Sequence, residues 1–299
     1  MTTNARLRAL VELANSGSVR GAAESLVVTE SAISSAIGSL SAEVGVPLVD
    51  RHGRGVRLTP AGKRYVDYAR TILGLHAEAI LAAHGEADPE HGSIRLAAVT
   101  TAGELLIPAL LASFRSQYPG VDCKLEVASR TAIWPMLARH EADVVVAGRP
   151  PSDLRQIQLR AVSPNTLVLV GSADTHRGFE PAEATWLLRE SGSGTRATTM
   201  TLLEELGISP PQMVLGSHGA VVAAAVAGLG VTLVSRQAVH RELQAGTLSE
   251  LPLHVEALDR PWHVVTQSSS TGSTELLIAH LLGRRDLGWR PAGNPLQST

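Results

Sequence analysis

The chain has 299 residues, of which 44% are hydrophobic and 18% charged, with a formal net charge of −2 and a single cysteine. That length accommodates about two domains with ample core, and the apolar-to-charged balance excludes an intrinsically disordered chain. A net charge near zero excludes global attraction to nucleic acid, so any DNA binding has to come from a local basic patch.

In chain order, residues 6–15 form a predicted helix with Leu7, Leu10, Val11 and Ala14 on one face, ending at Gly17. Residues 19–40 then read as two short helices joined by a tight turn. Ser18 and Thr29 precede them as N-caps, each with a hydroxyl that accepts an orphan helix N–H. Ala22, Ala23 and Leu26 share one face of the first helix, and Ile33, Ile37 and Leu40 recur at helical spacing on the second. Packed through Ala23 and Ile33, the pair makes a helix-turn-helix, which lays its second helix in a DNA major groove. A plain helical hairpin fits these residues equally well.

After Gly45 and Pro47, residues 48–58 read as two short strands about a glycine turn, a wing. Arg51, Arg54, Arg57, Lys63, Arg64 and Arg70 face a single acid, Asp67, and supply the basic patch that a DNA reading requires. Thr59 as N-cap and Pro60 at the first helical position open a long helix to about His84. Tyr65, Tyr68, Ile72, Leu75, Ala79 and Ala82 alternate at three and four residues, the seam of a dimerisation helix or a face packed on its own domain. Residues 85–92, containing Asp88 and Pro89, read as a hinge.

From Ser93 short strands and helices alternate. Strands are expected at 94–99, 122–127, 143–147, 167–171, 186–189, 213–215, 231–234 and 262–266. Helices are expected at 108–117, 133–140, 196–206, 220–227, 235–243 and 273–282. This alternation implies an α/β unit with a largely parallel sheet, and the tail from Pro291 is expected to be disordered. The longest apolar run, residues 219–234, is cut by Gly228 and Gly230 and is shorter than the ~20 residues of a membrane helix. With no signal-peptide pattern at the start and Cys123 alone in a strand-like VDCKLEV context, the expectation is a cytoplasmic chain with an inert thiol.

In open α/β sheets ligands bind beyond the carboxyl ends of strands. Four post-strand links are short and rich in glycine and hydroxyls: Thr100-Thr101-Ala102-Gly103-Glu104, Ser129-Arg130-Thr131, residues 190–196 (ESGSGTR) and Gly216-Ser217-His218-Gly219. Together they form a candidate cradle for a small anion or polar metabolite. Thr101 with Glu104 fits a capping box, which makes Thr100 the better ligand candidate. Thr195 reads as the cap of its own helix, leaving Ser193 and the backbone of Gly192 and Gly194 for a ligand; His218 is either a helix cap or a contact. An enzyme is not expected. The SGSGTR loop is neither a Walker loop nor a GxGxxG fingerprint. The histidines lack metal-ligand spacing, so neither metal nor cofactor is expected. Ser193 with His218 as nucleophile and base lacks both the strained elbow and an orienting acid.

The stretch GSVRGAAESLVVTESAISSAIGSLSAEVGVPLVDRHGRGVRLTPAG, residues 17–62, with the helix that follows, resembles the LysR-type transcriptional regulators. TTAGELLIPALLASFRSQYPGV, ADVVVAGRPP, WLLRESGSGTR and AVAGLGVTLVSRQAVHREL extend the likeness. The last two are most similar to the branch regulating carbon-fixation operons and sulfur metabolism. The resemblance implies an α+β chain: a winged helix-turn-helix DNA-binding domain at 1–58, a linker helix and hinge at 59–91, and a two-lobed effector domain like a periplasmic binding protein at 92–299. The first lobe would span about 92–161 with 267–290, and the second about 162–266. It further implies dimers through the 60–84 helix, tetramers built from them, and promoter contacts adjusted by a small effector. Thr100, Thr101, Ser129, Thr131, Gly148, Ser193, Thr195 and His218 fall where the family's effector pockets lie. Sulfate, sulfite or a phosphorylated metabolite suits such a pocket, with O-acetylserine as the zwitterionic alternative.

The sequence departs from the family at the recognition helix, where Glu30 replaces the usual Gln and Ser31, Ser34 and Ser35 follow. No Lys or Arg occurs between Gly21 and Asp50, so the bidentate Arg–guanine and Gln–adenine contacts are missing. Val49 also replaces the usual aromatic before the wing. DNA contact is therefore expected from Ser18, Thr29, Glu30, Ser31, Ser34 and Ser35 together with phosphate binding by Arg51, Arg54 and Arg57. The expectation is a DNA-binding transcription regulator with a small anionic effector and no membrane partner. The alternatives are a ligand receptor with a degenerate DNA-binding unit and an anion-using enzyme.

Overall fold

The computed structural model describes residues 3–52, 55–176, 179–253 and 258–293. They fall into two compact units, residues 1–83 with 138–141 and residues 84–137 with 142–299.

In the first unit α1 (Asn4–Ser16), α2 (Val19–Leu26) and α3 (Glu30–Val44) precede a hairpin of β1 (Val49–His52) and β2 (Gly55–Leu58), and α4 (Pro60–Ala87) follows. Ser18 Oγ accepts the Gly21 N–H at 3.0 Å and Thr29 Oγ1 the Ala32 N–H at 3.2 Å, so both expected caps form. Leu7, Leu10, Ala22, Ala23, Ile33, Ile37, Leu40, Leu48 and Val66 bury together. The turn between α2 and α3 runs through Val27 at φ 54° with its side chain 89% exposed. A β-branched residue is disfavoured in this left-handed conformation. The wing closes onto the long helix at Gly62, where a Cβ would lie 1.9 Å from the Leu48 carbonyl oxygen. Thr59 clamps the junction by donating to the Pro47 carbonyl at 2.8 Å and accepting the Gly62 N–H at 2.9 Å. The helix extends to Ala87, and a 3₁₀ turn at Pro89–His91 occupies the remainder of the expected hinge.

The second unit opens with β3 (Ser93–Val99), α5 (Thr100–Leu105), α6 (Ile107–Gln117), β4 (Asp122–Ala128), α7 (Arg130–Ala138) and β5 (Val144–Ala147). Then come β6 (Ile157–Ser163), β7 (Thr166–Ser172), β8 (Trp186–Leu188), α8 (Gly194–Glu205), β9 (Gln212–Val214), α9 (His218–Val226) and β10 (Thr232–Ser235). The chain ends with α10 (His240–Gln244), β11 (Leu248–Glu250), β12 (Leu258–Asp259), β13 (Trp262–Gln267), α11 (Gly272–Gly283) and β14 (Arg290–Pro291). One sheet has the order β14-β6-β13-β5-β3-β4, and a second centres on β7, flanked by β10 and by β11 with β12.

Three expectations change. The sheets are mixed: β3 is parallel to β4 and β5, and β8 to β9, while β13, β6, β14 and every pairing of β7 are antiparallel. A chain that crosses to a second lobe and returns re-enters its first sheet as a hairpin-like neighbour, not through a helical crossover. For the same reason β13, expected in the second lobe, lies between β5 and β6 in the first sheet, with Val264 and Val265 fully buried. Pro291, expected to begin a disordered tail, pairs with Ala161, and Arg290 before it with Val162, at the edge of that sheet; residues 294–299 lie outside the described residues.

The two lobes of this unit are joined by the β6–β7 and β12–β13 crossovers. Arg260 N–H donates to the Asn165 carbonyl at 2.7 Å, and Asn165 Nδ2 donates to the Arg260 carbonyl at 2.9 Å. Ser235 Oγ donates to Asn165 Oδ1 at 2.6 Å, so the buried amide is satisfied on both sides.

Candidate effector cleft and nucleic-acid interface

β3, β4 and β5 run parallel, so the links after them emerge at one edge of the sheet, where helix N-termini also gather. Those links, the start of α8 and the two crossovers line a single cleft. Of the eight expected effector residues, Thr100, Thr101, Ser129, Gly148, Ser193 and Thr195 are in its wall. The space open to centres of water-sized molecules is ≈ 60 Å³. At about 10–15 Å³ for each water, that is room for a small oxyanion on a short stem.

The local roles differ from those expected. The α5 helix starts at Thr100, with Val99 at the cap position and no side-chain cap, so the Thr101–Glu104 capping box does not form; Thr101 is buried inside the first turn. Ser193, not Thr195, caps α8, accepting the Arg196 N–H at 3.4 Å. The reason is Gly192: its φ of +87° turns the chain early and leaves Ser193 extended, so the helix starts at Gly194. A Cβ on Gly192 would lie 2.7 Å from Thr131 Oγ1 and 3.3 Å from Ser129 Oγ. The glycine thus lets the second-lobe loop meet the first-lobe hydroxyls, which are 3.0 Å apart. Thr131 is occupied there and is not part of the cleft wall.

His218 is also outside the wall. It is the first residue of α9, whose cap is Ser217. Burial, reinforced by the Arg189 charge, lowers its pKa below the ordinary value, so it is neutral at pH 7. Ser193 in the cleft and His218 beyond it are not brought together as a nucleophile and base.

The cleft also contains residues that the search for hydroxyls and glycines missed: Arg130, Asn165, Arg189, Thr198, Ser235 and Arg260. Arg189 is buried and makes a two-pronged pair with Glu190, Nε and Nη2 each donating at 2.7 Å. Burial pushes the Glu190 carboxyl up, but the Arg189 and backbone hydrogen bonds and the nearby Arg189 and Arg196 charges outweigh it, and the pKa falls. Arg260 donates to the Thr198 hydroxyl, and burial followed by the Arg130 and Arg149 charges lowers its pKa. One signal for these residues was present in the sequence: the links after β4, β5 and β12 each carry an arginine. Lone Cys123 is half-buried on β4, and burial followed by Asp122 pushes its thiol up, away from reactivity.

On the DNA-binding unit, Glu30, Ser31, Ser34 and Ser35 are exposed on the α3 face opposite Ile33, Ile37 and Leu40. Arg57 is exposed on β2, and Lys63 and Arg64 are exposed in the first turns of α4. Arg70 is half-buried and donates to Asn15 Oδ1 at 2.5 Å, which removes it from the free patch. Arg51 belongs to β1 but its side chain, like the whole of Arg54, lies outside the described residues. Tyr68, Ile72, Leu75 and Ile80 leave an apolar stripe on α4 between 45% and 66% exposed.

Comparison with known proteins matches residues 5–63 to the bacterial regulatory helix-turn-helix proteins of the lysR family, and residues 87–285 to the LysR substrate binding domain. The chain belongs to the LysR family. It is a transcription regulator with an effector-binding domain and not an enzyme. The regulator CbbR of Rhodospirillum rubrum is 34% identical over 255 residues, 83% of this chain and 84% of that protein. The RuBisCO operon transcriptional regulator of Acidithiobacillus ferrooxidans is 31% identical over 271 residues, 87% and 86% of the two chains. These LysR relatives belong to the carbon-fixation branch that the sequence resembled. Among solved structures, the regulatory domain of Synechocystis PCC6803 CcmR in complex with 2-PG is 25% identical with a TM-score of 0.58, covering 64% of this chain and 96% of that one. No helix among the described residues of this LysR protein is long and apolar enough to cross a membrane.

Proposed function

We propose that this regulator binds promoter DNA as a dimer, and that a small anionic metabolite held between the two lobes of its effector unit sets that binding. The observation that carries the reading is the cleft itself. Thr100, Thr101, Ser129, Gly148, Ser193 and Thr195, separated by up to about a hundred positions in sequence, converge there with the N-termini of α7 and α8. Hydroxyls, backbone N–H groups and helix N-termini recognise anions, and the 2-PG bound by the CcmR domain is of that class. Thr131 and His218 belong to the support of the site.

DNA contact is assigned to the exposed α3 residues Glu30, Ser31, Ser34 and Ser35, to the flanking caps Ser18 and Thr29, and to phosphate contacts from Arg57 with Arg51 and Arg54. The apolar stripe of α4 joins two copies, because a contiguous exposed apolar face of this kind marks an interface. Operation in the cytoplasm agrees with one unpaired cysteine and a DNA-binding unit. The test is a thermal-shift screen of sulfate, inorganic phosphate and phosphorylated carboxylates on the full chain, with operator binding measured in parallel. A hit that Ser193→Ala and Thr100→Ala leave unchanged moves the site away from this cleft.

A second reading is favoured by the exposed face of α3, where Ser31, Ala32, Ser34, Ser35 and Gly38 carry no long side chain. There the chain is a ligand receptor that binds DNA without base preference. It requires cleft binding to persist while operator and random DNA compete equally.

A further inference from the structure

We infer that the effector unit carries a second small-molecule site, a groove on a different face of its lobe connection from the cleft, and that this groove takes an organic monocarboxylate with a compact apolar body. The groove shares no residue with the cleft wall, so its ligand binding stands apart from the cleft reading.

Both lobes build the groove. The β6–β7 crossover supplies Ser163 and Pro164, and the stretch after β10 supplies Gln237 from the second lobe. The end of α11 and residues 286–291 supply the first-lobe wall. The same two connections face the cleft a step away, through Asn165 and Ser235. The groove offers ≈ 680 Å³, within the ~300–1,000 Å³ of small-molecule sites and well above the ≈ 60 Å³ of the cleft. A glycine keeps it open. Gly288 has a φ of +70°, and a Cβ there would lie 3.7 Å from Ser163 Oγ, so a longer side chain at that position would stand over the hydroxyl.

The polar groups of this wall include donors left without acceptors. Ser163 is 3% exposed and its hydroxyl makes no hydrogen bond among the described residues; the indole N–H of Trp289, 6% exposed, makes none either. A polar group withdrawn from water without a partner is costly, and a ligand oxygen removes that cost. Arg290 is exposed and forms no ion pair among the described residues. The acid of the groove, Asp286, is already matched, since Arg284 Nε and Nη2 donate to its two oxygens at 2.8 and 2.6 Å. One free guanidinium beside unpaired donors recognises one carboxylate.

The remaining wall sets the body of the ligand. Pro164, Leu282, Leu287 and Pro291 offer nothing to a second charge and suit a ring or chain of several carbons. A molecule between Gln237 on the second lobe and Arg290 on the first touches groups whose separation changes as the lobes move, so its affinity differs between lobe arrangements. Occupancy of the groove therefore shifts the same lobe equilibrium from a second position, and sites coupled in this way act on each other reciprocally.

Calorimetric titration of the full chain, at one fixed ionic strength, with benzoate, indole-3-acetate, benzamide and glycolate tests the site. At least one of the two aromatic acids should bind in the millimolar range, the affinity open to so small a probe. Benzamide, which lacks the charge, and glycolate, which lacks the body, should bind at least fivefold more weakly. Arg290→Gln should bring the acid down to the level of the amide. Gln237→Trp, at an exposed position, fills the groove and should weaken the acid tenfold or more, while Ser193→Ala in the cleft leaves it unchanged. The site is overturned if neither acid binds, if benzamide binds as well as benzoate, if Arg290→Gln and Gln237→Trp both leave the acid's affinity intact, or if Ser193→Ala abolishes it. A saturating acid should also change operator affinity threefold or more in the native chain and not in Gln237→Trp; equal operator affinity with and without the acid overturns the coupling.

Discussion

The wing and the first turns of α4 should dominate the salt dependence of DNA binding. Arg57, Lys63 and Arg64 are exposed, while α3 contributes no cation, so phosphate neutralisation has few other sources in this unit. Each phosphate contact contributes about −0.9 to the slope of log K against log salt. Substituting Arg57 and Lys63 with Ala removes two contacts from each copy and four from a dimer, so the slope should become shallower by about 3.6. Raising salt fourfold would then cost the variant about a hundredfold less affinity than it costs the native protein. Lys63→Ala sits on a helix and Ala is the better helix former, so the change does not act by unfolding the site. Fluorescence anisotropy on a labelled operator between 50 and 200 mM salt reads the slope directly. A variant slope equal to the native one would refute the phosphate assignment, and a fall in affinity with no change in slope would move these side chains to base or shape readout.

Other perturbations test the fold. Gly62→Ala places a Cβ against the Leu48 carbonyl oxygen and should destabilise the DNA-binding unit by about 1–3 kcal/mol or more. Urea unfolding followed by circular dichroism is the readout, because that unit contains none of the four tryptophans. Val27→Asn should raise stability by about 1 kcal/mol in the same assay, since its left-handed φ is strained for valine and its exposed side chain packs on nothing. His263 is buried, its Nδ1 has no hydrogen-bond partner, and burial holds its pKa below the ordinary value. The unfolded chain then binds a proton first, so the stability of the effector unit should be full above about pH 6.5 and fall as pH drops from there toward the lower folded pKa. His263→Asn should flatten that dependence in tryptophan-monitored unfolding, and an unchanged profile would assign it to other groups.

The DNA-binding half was legible because its signals are local. Ser18 and Thr29 cap the helices they precede, Ala23 and Ile33 share the core they were expected to share, and the two expected strands of the wing pair with each other. Each depends on residues within a few positions of one another, where periodicity and capping are strongest. The effector half was legible as alternation but not as topology. An apolar run such as Trp262 to Thr266 reads as a strand whichever sheet receives it, and its place between β5 and β6 depends on a crossover pairing Asn165 with Arg260.

The cleft divides along the same line. Its hydroxyl and glycine wall follows from a local rule, that links after parallel strands point at ligands, and six of eight expected residues line it. Its arginines were marked only by place, Arg130 and Arg260 lying in the links after β4 and β12. All but two of the 26 basic residues of this chain are arginines, so Arg130 and Arg260 did not stand out by type. What distinguishes them is that neither forms an ion pair among the described residues, a property of three-dimensional neighbourhood. Arg189, equally anonymous in sequence, ends in a two-pronged pair with the adjacent Glu190 and is neutralised within the protein. Arg260 is held at its backbone by the lobe crossover and at its guanidinium by Thr198 on the second lobe.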